Sequence, residues 1–392
     1  MTLAQTQTTE LDPSFGVNGK LDVRTPGNFR NDLSTLTLDA SGRRLMIHGA
    51  YERETSAKSI SGVAALIDDG AFDTRFGDTQ DGLTTAPPVN LAASASSVAK
   101  LANGSFFITG AAYNQLPLIN YDQDGKFISI RDIAEGPQSS TPRLLGMDDK
   151  FLLSTSNRSG GVVYRRHADG EQDGSFGNAG KAIFLTGNSF VSTLHMARSA
   201  GTSFYLAGEV GNDGFILRMN AAGELDQGFA DGGVYAVRMI DARYTACRRV
   251  IELANGKIVA LINSSGSDNG AACYLMCLTA TGQIDLTFNR GEPLRVPGEV
   301  GEDMTLQADG EILVAHRGVM TGNKLTRYFP DGEMDIEFGS EGSITFTDEQ
   351  IGFVKSVMVQ PDGKIVVGGT SGSITTLLRL MAQPTRSLRV PL

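Results

Sequence analysis

A short pattern recurs along this chain and constrains its fold more than any other feature. An aspartate stands three residues before a phenylalanine at six places, and glycine follows the phenylalanine in four of them. The six pairs are Asp12/Phe15, Asp73/Phe76, Asp173/Phe176, Asp226/Phe229, Asp285/Phe288 and Asp335/Phe338. A degenerate seventh copy, which has lost the phenylalanine, falls near Arg131. Recurrence of this kind is typical of a repeat architecture.

A second landmark is a tight turn between two apolar runs. It falls at Ser41-Gly42, Asn103-Gly104, Asp148-Asp149, Ala200-Gly201, Asn255-Gly256, Asp309-Gly310 and Asp362-Gly363. From Gly42 to Gly363 there are six steps over 321 residues, a mean of 53.5. Asn-Gly and Asp-Gly between apolar runs indicate hairpins, because a type I′ turn needs positive φ at both central residues. The chain therefore divides into seven units.

Each unit contains four short predicted strands. In the sixth unit they lie near residues 293–296, 303–307, 311–316 and 324–328. In chain order within a unit, the third strand is often apolar throughout, as in residues 257–262, which indicates burial on both faces. The first strand is the most polar, as in residues 20–24, which suits an outer edge.

Seven such units without a predicted helix favour an all-β fold, a seven-bladed β-propeller of four-stranded antiparallel blades. The N-terminal strand at 20–24 should join the last blade and close the ring. We expect one domain over residues 11–383, with tails at 1–10 and 384–392. An open β-solenoid or an array of two-sheet sandwiches is the alternative architecture.

The recurring residues have a structural interpretation. The aspartate can accept backbone N–H groups in an Asx-type turn. The phenylalanine should fill the space between neighbouring blades, and the glycine after it supplies positive φ.

These landmarks resemble the bacterial delta-60 repeat family over residues 11 to 380. The closest matches are residues 11–16 (LDPSFG) and 360–369 (QPDGKIVVGG), whereas residues 86–160 depart from the pattern. The resemblance implies a propeller-like fold. It carries no enzymatic activity and no catalytic residue that could be transferred.

Charge and targeting signals narrow the functional classes. The net charge is −10, from 34 Lys plus Arg and 44 Asp plus Glu, which argues against a nucleic-acid binder. The first residues lack a basic segment followed by an apolar run, and no apolar stretch has the length of a membrane span. We expect a monomer in the cytoplasm by default, with export by a signal-independent route as the alternative.

Few residues point to chemistry. The three cysteines, Cys247, Cys273 and Cys277, are predicted to be buried reduced thiols. His48 and His316 share one repeat position, but two blades apart they would not hold the same metal. Nucleophile-elbow, dinucleotide-binding and Walker A motifs are absent from the sequence. We therefore assign no catalytic residue, metal or cofactor.

The segment from Asn120 to Gly125 resembles the start of a calcium loop. Its twelfth position would be Arg131 rather than an acid. The same Asp-Gly turn recurs at Asp331-Gly332, so an ordinary turn is the favoured interpretation and a calcium site the alternative.

One face of the predicted disc carries connections that differ among the units, and such loops are free to carry function. Arginines cluster there in unit five and acids in the next two units, which would match a partner by charge. The candidate partner-binding residues are His48, Tyr51, Glu52, Arg53, Tyr113, Arg238, Arg243, Tyr244, Arg249, Glu302, Asp303, His316 and Arg317.

Three functions remain open. The first is a non-enzymatic scaffold that binds a protein partner through this face. The second is a carbohydrate- or cell-surface-binding propeller, as in an exported toxin or antagonism system; Tyr51, Tyr113 and Tyr244 could contact a sugar, although the chain has no Trp. The third is a lyase or hydrolase with its site at the central channel.

Overall fold

The computed structural model describes residues 10–23, 30–39, 41–42, 44–52, 59–84, 94–111, 116–133, 140–157, 160–187, 191–267, 270–372 and 374–382. They form seven antiparallel sheets, six with four strands and one with three, which pack side by side in a ring. The predicted seven-bladed β-propeller is confirmed. Within the described ranges, the sole helical element is a short 3-10 turn at Asn289–Gly291, so no helix could span a membrane.

The strands occupy four concentric positions; six blades contribute one strand to each position, and the blade that begins with Arg30–Leu38 lacks the outermost strand. The innermost strands are β2 (Arg30–Leu38), β5 (Ser94–Lys100), β9 (Arg143–Met147), β13 (Val191–Arg198), β17 (Tyr244–Glu252), β21 (Val300–Leu306) and β25 (Phe353–Val359). The second strands are β3 (Leu45–Glu52), β6 (Phe106–Ala111), β10 (Lys150–Asn157), β14 (Phe204–Val210), β18 (Ile258–Ser267), β22 (Ile312–Gly318) and β26 (Ile365–Ser371).

The third strands are β4 (Ser59–Leu66), β7 (Pro117–Tyr121), β11 (Gly160–His167), β15 (Asp213–Met219), β19 (Gly270–Leu278), β23 (Gly322–Tyr328) and β27 (Ile374–Leu380). The outermost strands are β1 (Lys20–Val23), β8 (Phe127–Asp132), β12 (Lys181–Phe184), β16 (Val234–Val237), β20 (Leu294–Arg295) and β24 (Ser343–Phe346). We number the blades from 1 to 7 in the order of their innermost strands.

The ring closes as predicted, because β1 is the outermost strand of blade 7. It pairs antiparallel with β27, with Leu21 opposite Leu377. A buried ion pair reinforces this closure, since Arg379 Nε lies 2.8 Å from Asp12 Oδ2.

The hydrophobic core is divided into seven clusters, each between two neighbouring blades. The repeated phenylalanine lies in six of these interfaces with at most 1% of its surface exposed. In five of the six interfaces it packs on the glycine of the turn that ends the third strand of the next blade: a Cβ on Gly125 would lie 2.5 Å from the Phe76 ring. Gly125 has φ of +74°, so this position requires glycine for both conformation and space.

The repeated aspartate does more than shape its own turn. Each of the six accepts the N–H of the residue two positions later, as predicted. In four units an arginine from the adjacent third strand pairs with the aspartate and stacks on the phenylalanine. These units are Arg165/Asp173/Phe176, Arg218/Asp226/Phe229, Arg327/Asp335/Phe338 and Arg379/Asp12/Phe15, with the guanidinium carbon 4.6–4.9 Å from the ring centroid. We call each such set a bracket.

In the other two units the cation comes from the turn before the second strand. Where the third strand carries Ala65, Arg44 reaches Asp73 at 2.6 Å. Where it carries Cys277, Lys257 reaches Asp285 at 2.7 Å. The aspartate is thus paired in all six units, although the position of its cation varies.

Two blades depart from the pattern for local reasons. In blade 1, residues 82–84 replace the outermost strand, and the Thr84 N–H donates to Val63 O. In blade 2, the turn at Asp122–Lys126 leads directly into β8, which leaves no room for the aspartate–phenylalanine element. The three cysteines are buried and free, as predicted, and burial raises the pKa of Cys273 and of Cys277 to about 12.

The antiparallel order gives the disc two different faces. On the first, called the repeat face, five residues join the innermost and second strands in five of seven blades. On the second, called the loop face, two to six residues join the second and third strands. Four to ten residues there lead from an outermost strand to the next innermost strand. Connection lengths on the loop face therefore differ between blades, although four of the seven connections between second and third strands have two residues.

Candidate functional site

The innermost strands share an irregularity that shapes the channel at the centre of the ring. Six of the seven contain a β-bulge at the same place, between Leu33 and Thr35 in blade 1 and at the matching positions of blades 2, 4, 5, 6 and 7. A bulge adds an unpaired residue and re-aims side chains. Consecutive residues such as Arg248 and Arg249 therefore both line the channel.

The channel contains a cavity of about 550 Å³. The ionisable side chains of its lining come from blades 3 to 7, whereas blades 1 and 2 supply hydroxyl and aliphatic groups. The ionisable side chains are Arg143, His195, Arg248, Arg249, Glu302, Asp303 and Lys355. Four of these are Arg or Lys and two are carboxylates, so the described lining has an excess of positive charge in a chain whose net charge is −10.

Asp303 is fixed by four donors. Its Oδ1 accepts from Arg249 Nε at 2.6 Å and from its neighbour's backbone N–H. Its Oδ2 accepts from the Ser356 hydroxyl at 2.8 Å and the Val357 N–H at 3.0 Å. These four donors use both oxygens of the carboxylate and hold it in place.

Glu302 is shared by two arginines. Its Oε1 accepts from Arg317 Nε at 2.8 Å, and its Oε2 lies 3.3 Å from a terminal nitrogen of Arg248. Arg248 Nε is buried and has no hydrogen-bond partner among the described residues. Glu209 faces Arg248 as well, but burial raises the pKa of Glu209 and disfavours its charge. Arg248 is therefore less fully neutralised than Arg249.

The arginines raise the local potential of the channel. Desolvation, together with the charges of Arg249 and Arg248, lowers the pKa of Arg143 to about 10. The pKa of His195 falls well below its usual range, first because of burial and then because of Arg249 and Arg143. His195 is therefore neutral at pH 7.

Side chains of the channel also tie neighbouring blades together. The backbone N–H of Val250 donates to His195 Nδ1 of the preceding blade at 3.3 Å, which leaves the neutral ring with its proton on Nε2. In the same way the Leu144 N–H donates to Ser97 Oγ of the preceding blade at 2.8 Å. These hydrogen bonds between innermost strands of neighbouring blades fix the position of the side chains that line the channel.

The predicted partner-binding residues do not form one exposed loop surface. The strands extend further than predicted, so that His48, Tyr51, Glu52, His316 and Arg317 lie on second strands. Tyr244, Arg249, Glu302 and Asp303 lie on innermost strands. Arg238 and Arg243 are on the connection before β17 and are exposed. Arg53 and Tyr113 lie outside the described residues, as do the side chains of His48, Tyr51 and Glu52.

Two of these residues are buried, which corrects their assignment to an exposed footprint. His316 is fully buried, its Nε2 lies 2.7 Å from Thr326 Oγ1, and desolvation lowers its pKa to about 4. Asp303 is 7% exposed and is held by the donors described above. The predicted charge segregation is also partly neutralised inside the molecule, because Arg248 and Arg249 face Glu302 and Asp303.

The possible calcium loop is used as a turn. Asp122 Oδ1 accepts the N–H groups of Asp124 and Lys126, and Asp124 pairs with Arg44 at 3.1 Å. Within the described ranges, no group of three or more potential ligand side chains could hold a metal ion.

Sequence reasoning missed Arg143, His195 and Lys355 as channel residues. A positional signal existed, because Thr35, Ser97, Arg249, Asp303 and Ser356 each stand seven residues before the hairpin glycine of their unit. Alignment of the units on that glycine identifies the residue of each innermost strand that lies at the bulge. The bulge itself, which turns a second side chain towards the channel, has no sequence signature.

Two comparisons with known proteins found a match. A family model described as a domain of unknown function, DUF5122 beta-propeller, matches residues 360–382. This segment begins where the best copy of the hairpin element begins. A solved structure entitled "Structure of Dos1 propeller" is similar at 11% identity and a TM-score of 0.49, over 88% of this chain and 77% of that one. No curated protein matches.

Proposed function

We propose that the protein is a non-enzymatic binding propeller whose loop face recognises a protein partner. The observation that carries this proposal is the contrast between the two faces. The repeat face is occupied by turns that the blades share, whereas connections on the loop face vary in length and composition. Binding residues are disproportionately found on such loops above a rigid scaffold.

Exposed side chains on the loop face have the chemistry of an interface. Val319 and Met320, at the turn between β22 and β23, are 89% and 90% exposed. The nearby Arg317 guanidinium carbon lies 5.6 Å from the centre of the half-exposed Phe353 ring. Arginine, methionine and aromatic residues are enriched in protein interfaces. We propose this surface, with Arg238 and Arg243 on another part of the rim, as the contact region.

The test compares substitutions that place glutamate on each of the two faces. Proteins retained from a lysate of the source organism would be identified for the unmodified chain, for R243E with M320E, and for R290E. Arg290 is exposed in a Phe288 loop on the repeat face, so it is a matched control. We expect one stoichiometric protein to be lost with the first variant and retained with the second.

Equal retention or equal loss in both variants, with unchanged melting temperatures, would overturn the assignment of the loop face. Retention of no protein, with binding on a glycan array instead, would replace the proposal by the carbohydrate-binding alternative.

A second candidate, an enzyme with its site in the channel, is favoured by one observation. His195, Arg248 and Glu302 converge on the same cavity. Two facts favour binding over catalysis: His195 Nδ1 already accepts a backbone N–H, and Asp303 is held by four donors. Loss of a hydrolytic or eliminating activity in H195Q, measured against a panel of esters, glycosides and uronides, would support the enzyme.

A further inference from the structure

We propose that the central channel binds a small organic anion with an apolar body. The site is separate from the proposed partner surface, because it lies inside the ring rather than on the exposed loops. It is defined by the cationic groups of blades 3, 5 and 7 and by the aliphatic side chains between them.

The electrostatic argument begins with Arg248. Its guanidinium faces the cavity, its Nε has no described hydrogen-bond partner, and its carboxylate neighbour Glu302 is shared with Arg317. An arginine in this position can offer further donors to a carboxylate or phosphate oxygen, and guanidinium geometry suits such planar or tetrahedral anions.

A second group of donors supports the same polarity. Arg143 lines the cavity from blade 3, and the repulsion among Arg143, Arg248 and Arg249 would be relieved by an incoming anion. Neutral His195 contributes an Nε2–H rather than another positive charge. Four cationic side chains outnumber the two carboxylates in the lining, so an anion is favoured over a cation in this desolvated site, where charge interactions are strong.

The remaining lining defines the body of the ligand. Leu36, Leu144, Leu145, Met196, Val357 and Met358 line the same cavity. A volume of about 550 Å³ lies within the range of small-molecule sites. Polar groups make up more of the accessible lining than these aliphatic side chains do, so the apolar body of the ligand should be small. An aryl or alkyl carboxylate or phosphate ester satisfies both parts of the lining, whereas a bare inorganic ion satisfies one.

Three probes separate these requirements. Phenyl phosphate has the charge and the apolar body, inorganic phosphate has only the charge, and benzylamine has the same ring with the opposite charge. We expect isothermal titration calorimetry at low salt to show phenyl phosphate binding at least tenfold more tightly than phosphate, and no binding of benzylamine. Benzoate in a parallel titration distinguishes carboxylate from phosphate preference.

The variants assign the binding to the channel. R248M and R143M should each weaken phenyl phosphate binding tenfold or more. R290M is the control, because Arg290 is exposed in the Phe288 turn on the repeat face and belongs neither to the channel nor to the proposed partner surface. Circular dichroism and melting temperatures establish that each variant is folded.

Three results would overturn the proposal: no heat with phenyl phosphate or benzoate up to 10 mM, binding of benzylamine as tight as that of phenyl phosphate, or equal weakening in R290M and R248M. Because these titrations need no protein partner, their failure leaves the proposed loop-face function standing, and the reverse also holds.

Discussion

The brackets at the periphery and the channel at the centre are both built from charged side chains on repeated positions, yet they differ in one respect. The bracket position keeps aspartate in six units and always pairs it with a cation. The position at the bulge of the innermost strand carries Thr35, Ser97, His195, Arg249, Asp303 and Ser356 in blades 1, 2, 4, 5, 6 and 7. The residue type is therefore the same in six units at the bracket position, whereas it differs between blades at the bulge position.

This difference indicates that the brackets stabilise the scaffold, whereas the channel is suited to bind a ligand. A bracket joins an arginine to the phenylalanine of its own unit and to a carbonyl of the next blade, as Arg218 does with Phe229 and Ala280 O at 2.7 Å. Six of the seven interfaces between blades contain the aspartate–phenylalanine element, so its residues repeat. A ligand in the channel would be bound by all blades at once, and each blade can then contribute a different group.

The largest expected effect comes from breaking the bracket that closes the ring. R379A leaves Asp12 buried with only Lys364 as a cationic partner and removes the contact with Phe15. Loss of one partner of a buried ion pair costs roughly 3–5 kcal/mol of unfolding free energy. Urea denaturation monitored by circular dichroism measures this loss.

The control for that variant is R198A, which removes an exposed pair with Asp148. It should change the unfolding free energy by less than about 1 kcal/mol. A cost for R379A as small as that of R198A would show that the brackets are no more than surface ion pairs. If R379A does not fold, R379K should restore a folded chain, because it keeps the charge.

Acidification should weaken the brackets in a defined pH range. Hydrogen bonds and charges from Arg75 and Arg44 lower the pKa of Asp73 from 3.8 to about 2. On acidification the unfolded chain therefore binds its proton first, so the stabilisation is full above about pH 4 and is lost as the pH falls towards 2. A shift of this size corresponds to about 2 kcal/mol.

The measurement is urea denaturation at intervals from pH 5 to pH 3, where the unmodified chain should lose stability steadily. D73N should be less stable at pH 5 and should show a shallower slope below pH 4. Parallel curves for the two chains would mean that Asp73 does not titrate with folding.

The smallest effect is expected in the channel. R248M removes a charge whose partner, Glu302, keeps Arg317 at 2.8 Å. Methionine also replaces much of the aliphatic stem. We expect a change in unfolding free energy below about 1 kcal/mol, within the range of substitutions that break no buried network. A loss above 2 kcal/mol would place Arg248 with the brackets and remove the distinction between the two regions.

The repeated residues carried most of the fold prediction. Asp12, Phe15 and Gly363 belong to patterns whose spacing indicates strands, turns and the number of blades. The arginine of the bracket was missed, although Arg165, Arg218 and Arg327 each stand eight residues before the aspartate of their unit. It was overlooked because Ala65 and Cys277 occupy that position in two units, where cations from elsewhere replace it.

The channel was harder to predict for a physical reason. A bulge depends on how two strands pair, and no residue type in Arg248-Arg249 or Glu302-Asp303 signals it. Strand ends were equally uncertain, since His316 and Arg317 read as the edge of a loop but lie within β22. The histidine is fully buried there, so the sequence could not distinguish a rim residue from a core residue.

The pairing of β1 with β27 has a consequence for biosynthesis. Asp12 and Arg379, which hold this junction together, are 367 residues apart along the chain. At roughly 5–20 residues per second, a ribosome needs about 20–70 s to make the second after the first. Among the strands of the ring, β1 is therefore made first and is the last to find its neighbour, and the nascent chain carries an unpaired β-strand edge until β27 (Ile374–Leu380) has been made. A circular permutant that begins at Arg30 and places β1 after β27 would remove that delay and leave the finished ring with the same strand order.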